Sequence, residues 1–201
     1  MRIDFVTLFP DQILGALRHS MLRRAEDRDL VRFSAVNPRD FTTSPHRTVD
    51  DTPAGGGPGM VMMAAPVLDA IASLPSMSNR AVVFTDPTGV PFTQSAAMAL
   101  CQVEQIVFVC GHYEGIDARV AKLVATHTFS IGDYVLTGGE LPSLVMADAI
   151  ARLIPGVLGN EGSLASDSHS DGLLTGSQYT RPDDVAGLAI PEILKSGDHG
   201  A

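Results

Sequence analysis

The chain alternates short, almost wholly apolar runs with stretches whose apolar residues recur every three or four positions. "RIDFVTLF" near the start reads as a strand. Asp11 is placed to cap a helix over residues 12–27, with Ile13, Leu14, Leu17 and Leu22 as its apolar positions. "VRFSAV" reads as the next strand, and residues 37–59 as a long polar, glycine-rich loop. The pattern then predicts a helix in "PVLDAIASL", a strand in "RAVVFTDP", a helix over residues 94–103, a strand in "QIVFVCG" and a helix in "DARVAKLVAT". A last helix, residues 141–154, is apolar all round except at Asp148 and Arg152.

Apolar strands separated by helices call for an α/β fold, a parallel sheet covered on both faces. Ligands of such sheets sit where loops leave the carboxyl ends of strands. The loops to inspect are "TDPTG" after Phe84, "GHYEG" after Cys110 and "SIGDYVLTGGE" after Phe129. From Pro155 onward the periodicity is lost, and "GVLGNEGSLASDSHSDG" reads as a mobile linker. The remainder is too short to bury a core alone.

Composition adds limits. A chain of 201 residues, 45% apolar and 18% charged, suits one domain with a full core plus an appendage. No apolar run approaches the roughly 18 residues of a membrane span, and the amino terminus lacks a signal-peptide pattern, so a cytoplasmic protein is expected. Cys101 and Cys110 fit no zinc or redox spacing and read as reduced, largely buried thiols. A net charge of −9 is awkward for a nucleic-acid partner, which would have to be met by a local basic patch or by a segment outside this chain.

Four stretches carry candidate chemistry. "PAGGGPGM" lacks the Gly-Lys-Ser/Thr of a phosphate loop and the spacing of a dinucleotide fingerprint, which favours a loop with unusual backbone angles. "SDSHSDG" places Asp167, His169 and Asp171 at alternate positions, but Gln178 stands where a calcium loop needs Glu, so a solvated linker is favoured. Arg152 is a lone cation on the apolar last helix. A pair with Asp148 four residues earlier and a catalytic arginine are equally compatible with that spacing. Glu114 and Asp117 follow a strand end, where a carboxylate could bind a ligand, although capping of the next helix accounts for Asp117.

In order along the chain, "NPRDFT", "HRTVDD", "GGGPGM", "CGHYEGID", "SIGDYVLTGGELP", "RLIPGVLG", "DSHSDGLL", "YTRP" and "SGDH" resemble the bacterial tRNA (guanine-N1)-methyltransferase family. The resemblance implies the SPOUT fold, an α/β domain with a deep carboxyl-terminal trefoil knot, which sequence physics alone would not suggest. It implies a catalytic domain over residues 1–158, a flexible linker over 159–174, and over 175–201 the start of a tRNA-binding domain that relatives continue into a basic helical segment. The implied reaction is methylation of N1 of guanosine at tRNA position 37 by S-adenosylmethionine, in a cytoplasmic homodimer whose subunits share active sites; the sequence leaves magnesium open.

The S-adenosylmethionine pocket implied by the resemblance comprises Thr85, Asp86, Pro87, Gly111, Tyr113, Glu114, Ile131, Gly132, Asp133, Tyr134, Val135, Leu136, Gly138, Gly139 and Pro142. Gly132, Gly138 and Gly139 would let chain segments pass closely. The resemblance assigns Asp167 as the base that removes the N1 proton, and Arg152 as the cation that stabilises charge developing on O6. An ordinary carboxylate is a weak base for that proton, so closure of the linker over tRNA is expected to desolvate Asp167. Ala54, Thr52, His112 and His169 depart from common family residues, His112 standing for an arginine. Two other readings stay open: a binding module without turnover, and a metal hydrolase built on Asp167, His169 and Asp171.

Overall fold

The computed structural model describes residues 1–159, 167–169 and 172–198. The chain divides into two compact units, Met1–Leu164 and Ala165–Ala201. The first begins with β1 (Arg2–Val6), α1 (Pro10–Leu17), α2 (Ser20–Asp27) and β2 (Arg32–Val36). A 3-10 turn at Pro38–Phe41 leads to the short strands β3 (Asp50–Asp51) and β4 (Val61–Met62), which pair with each other. Then follow α3 (Ala64–Ser73), β5 (Arg80–Pro91), α4 (Gln94–Leu100), β6 (Gln105–Cys110), α5 (Ala118–Val124), β7 (His127–Ser130) and α6 (Glu140–Ala151).

The five longer strands form one sheet in the order β2-β1-β6-β5-β7, and every pairing is parallel. This is the α/β architecture the apolar runs predict. Side chains alternate between the sheet's faces, so each strand feeds two cores. Ile3, Phe5, Ile106 and Phe108 pack with Ile13 and Leu17 of α1, Ala25 of α2, Ala97 and Leu100 of α4, and Met146 and Ile150 of α6. Val6, Val107 and Val109 pack on the other face with Val67, Ala70 and Ile71 of α3 and Val120 of α5. The Phe5 and Phe108 rings stack with centroids 5.5 Å apart.

One charge lies inside the sheet. Asp4 is fully buried and takes two contacts of 2.8 Å from Arg2, one of 2.6 Å from the Gln105 amide and another from the Ser34 hydroxyl. The set satisfies the carboxylate, the condition on which a charge is tolerated there.

Several boundaries differ from the sequence reading. The helix expected over residues 12–27 is two helices, with Phe9 rather than Asp11 at the first cap. Pro10 fits the first turn because it has no N–H to lose, and Ser20 at φ 52° turns the chain between the two. The "TDPTG" segment is not a loop leaving the sheet. β5 continues through it to Pro91, with an irregularity in which Thr85 and Val90 both register with Phe129. The helix beginning at Gln94 ends at Leu100 rather than at 103, and α6 starts at Glu140 and stops at Ala151, leaving Arg152 as its C-cap.

In the second unit, β8 (Asp184–Val185) and β9 (Leu188–Ala189) form a small antiparallel pair, followed by a 3-10 turn at Glu192–Lys195. Its apolar side chains Leu173, Val185, Leu188 and Leu194 are exposed, consistent with a segment that builds no core of its own.

Candidate active site

The strand order creates a crevice between β1 and β6. α1, which follows β1, packs on one face of the sheet, and α5, which follows β6, packs on the other. Loops leaving the carboxyl ends of these neighbouring strands therefore diverge, the place where open α/β sheets bind ligands. A pocket of about 180 Å³ lies there, lined by Phe9 and Gln12 after β1, His112 after β6, and Thr137, Gly138, Glu140 and Leu141 at the entry to α6.

The chain beyond β7 returns to this edge. The N–H of Gly139 donates to the Gly111 carbonyl at 2.8 Å, and Gly138 bridges His112. A Cβ on Gly139 would lie 2.1 Å from Thr85 Oγ1 and 2.8 Å from the Cys110 Cα, so only glycine lets these strands of chain cross. Thr85, Gly111, Gly138 and Gly139, all expected at the cofactor, are thus brought together. Residues 131–139 belong to no helix or regular strand, which leaves peptide groups uncommitted to secondary structure. Tyr134, Val135 and Leu136 turn their side chains largely to solvent.

Other expected residues serve local structure. Oδ1 of Asp86 accepts from the N–H and hydroxyl of Thr88 at 2.8 and 2.6 Å, and Pro87 is exposed. Ile131 packs against the α6 side of the core, Asp133 is exposed, and Pro142 is half-buried in the first turn of α6. Gly132, at φ 155°, exchanges hydrogen bonds of 3.0 and 3.2 Å with the Ser130 hydroxyl. Tyr113 sits at φ 58° with its hydroxyl accepting from Arg39 at 2.9 Å. Glu114 lies against Gly59, where a Cβ would come within 2.4 Å of its carboxylate; this is one use of the glycines in "PAGGGPGM". Asp117 caps α5, accepting from the Arg119 N–H at 2.9 Å, and the Arg119 guanidinium holds its carboxyl down to about 2. Burial pushes the Cys110 thiol well above its ordinary value, beside the Ser143 hydroxyl at 3.2 Å.

Arg152 receives its position from the end of α6, its N–H donating to the Asp148 carbonyl at 3.1 Å. Asp167 is half-buried and belongs to the second unit. His169 has φ 72° and its N–H donates to the Leu173 carbonyl at 2.7 Å, a turn geometry. Asp171 lies outside the described residues. Among the described residues, no three His, Cys, Asp or Glu side chains are grouped to hold a metal ion, and no helix is long and apolar enough to cross a membrane.

The sequence reading did not single out Thr7 and Glu140. Glu140 is only 3% exposed, and Thr7 Oγ1 donates to its Oε1 at 2.7 Å while accepting from the Phe9 N–H at 2.9 Å. An acid opening a largely apolar helix was the signal available for Glu140. His112 Nδ1 is buried with no hydrogen-bond partner.

The fold is that of an α/β protein with a crevice at the carboxyl edge of a parallel sheet, to which the chain beyond β7 returns. The sequence model described as tRNA (Guanine-1)-methyltransferase TrmD matches residues 1–201, and the chain belongs to that family. It is 51% identical to a tRNA (guanine-N(1)-)-methyltransferase of Staphylococcus carnosus, over 99% of this chain and 81% of that protein. Proteins of the same name from Staphylococcus haemolyticus and Staphylococcus aureus are 50% and 49% identical over the same shares.

Proposed function

We propose that this protein transfers the methyl group of S-adenosylmethionine to N1 of guanosine at position 37 of tRNA, in the cytoplasm. The observation that carries the reading is family membership along the whole chain, joined to the crossing of Gly139 over Gly111 at the sheet's carboxyl edge. The close approach of residues 138–139 to residues 110–111 supports threading of this region as a trefoil knot.

S-adenosylmethionine, when bound, supplies an electrophilic methyl group. The irregular backbone of residues 131–139 suits it, because it follows no regular helix or strand and Val135 and Leu136 offer apolar cover. Asp167 would accept the guanine N1 proton as N1 takes the methyl carbon from the donor's sulfonium sulfur, which leaves as the neutral thioether, and Arg152 would balance the negative charge that moves toward O6. In the proposed homodimer each site is assembled from both subunits.

The test uses tRNA transcripts carrying G or A at position 37 with labelled S-adenosylmethionine, and mass spectrometry of the digested RNA. One methyl group on N1 of G37, none with A37, and a large loss in the Asp167→Ala and Arg152→Ala proteins are expected. A protein that binds the donor yet methylates neither RNA would be a binding module instead.

A further inference from the structure

A second cavity lies at the opposite end of the sheet from the Gly139 crossing, where β1, β2 and β6 begin. Its volume is about 570 Å³, within the roughly 300–1,000 Å³ of small-molecule sites. Met77, Cys101, Val103 and Ile154 give it an apolar wall, and the polarisable sulfur of the first two adapts to a bulky apolar group. Arg2, Arg32 and Glu104 supply its charges.

These charges are not equally available. Arg2 is committed, its guanidinium donating to Asp4 at 2.8 Å and to the Ser34 hydroxyl at 3.0 Å. Arg32 is exposed, and among the described residues its guanidinium has no hydrogen-bond or ion-pair partner. Oε2 of Glu104 accepts from the Ser78 hydroxyl at 2.7 Å and the Asn79 N–H at 3.2 Å. Those bonds hold the carboxyl below its ordinary range, and among the described residues its Oε1 has no donor. Arg32 and Gln105 both register with Arg2, so two strand spacings of about 4.8 Å set their Cα atoms about 10 Å apart. With Glu104 next to Gln105, a free cation and a free carboxylate oxygen flank one apolar wall.

A lone anion there would meet the Glu104 charge, and a lone cation the Arg32 charge. A molecule that carries both charges on an apolar body meets each with its opposite. We propose that this cavity binds a zwitterionic amino acid with a large apolar side chain, its carboxylate on Arg32, its ammonium on Glu104 and its side chain against the apolar wall. A guanidinium takes a carboxylate through two parallel N–H bonds, and an ammonium offers only donors, as Glu104 requires. None of these residues takes part in the proposed methyl transfer, so the site stands or falls apart from that reaction.

The probes are L-phenylalanine, 3-phenylpropionate, which lacks the ammonium, and phenethylamine, which lacks the carboxylate. Each is titrated calorimetrically into the protein with and without S-adenosylhomocysteine, which carries its own amino-acid group. L-Phenylalanine is expected to bind whether or not S-adenosylhomocysteine is present, and each truncated probe about tenfold or more weakly, the worth of one charge-assisted hydrogen bond. Arg32→Gln should weaken L-phenylalanine and leave phenethylamine unchanged, while Glu104→Gln should weaken L-phenylalanine and spare 3-phenylpropionate. Either variant decides the assignment if the other folds poorly. The site is overturned by no saturable binding of L-phenylalanine at millimolar concentration, by equal affinity for the three probes, by displacement with S-adenosylhomocysteine, or by a probe pattern that a folded variant leaves unmoved.

Discussion

The hydroxyl of Thr7 donates to Oε1 of Glu140 at 2.7 Å in the protein interior, joining the end of β1 to the start of α6 across 133 positions of sequence. The same hydroxyl accepts from the N–H of Phe9, so one side chain fixes the turn after the first strand and the entry of the last helix of this unit. Thr7→Val keeps the shape and removes the donor from a buried carboxylate. It should lower unfolding free energy by about 1–3 kcal/mol in urea titrations, with the denaturant slope unchanged.

The cap at Asp117 makes a pH-dependent contribution. Hydrogen bonds from the Arg119 side chain and N–H hold its folded pKa at about 2, below the ordinary carboxylate value, so its contribution is complete above the unfolded value and is lost as pH falls toward 2. Asp117→Ala should cost about 1 kcal/mol near neutrality through the lost cap, the exposed ion pair adding little. The gap between variant and natural protein should narrow between about pH 4 and 2 in parallel denaturation curves.

Glycines at two places should respond oppositely to alanine. Gly139 has φ −81°, which any residue adopts, yet a Cβ there would lie 2.8 Å from the Cys110 Cα and 2.9 Å from the Gly111 N. Gly139→Ala should cost about 3 kcal/mol or more, since backbone rather than a side chain must move. Gly15 lies inside α1 with nothing within 4 Å of its missing Cβ, and Gly15→Ala should gain about 0.5–1 kcal/mol. Thermal melts of the two proteins decide both.

The proposed sharing of sites between subunits predicts the behaviour of mixed dimers. Pairing an Arg152→Ala subunit with an Asp167→Ala subunit should restore one working site, about half the natural activity, because the intact Arg152 and intact Asp167 meet in one of the two sites. Separately tagged subunits purified as the mixed species give the measurement; an inactive mixture would mean that both residues serve the same subunit.

Cysteine reactivity should follow depth. Cys110 is buried and its thiol is pushed upward strongly, whereas Cys101 is half-buried and its thiol is raised less. Iodoacetamide should label Cys101 first in the folded protein, read by peptide mass spectrometry, and the two at similar rates in denaturant.

Much of the fold was legible because runs such as "QIVFVC" have no polar face, and only a strand covered on both sides can bury them. The split at residues 18–19 was not, since the apolar spacing continues across it while the backbone turns at Ser20. The extension of β5 through "TDPTG" was hidden by proline and glycine, which usually mark loops, and depends on pairing with β7.

The sequence by itself determined the covered parallel sheet, the capping role of Asp117 and membership of the methyltransferase family, because these follow from local periodicity, local hydrogen bonding and long ordered motifs. Tertiary structure alone decided that Thr7 meets Glu140, that His112, lining the same pocket as Glu140, has an unpaired buried nitrogen, and that Gly139 crosses Gly111. The physical reason is range: each of these contacts forms between distant segments that only sheet order and chain return bring together.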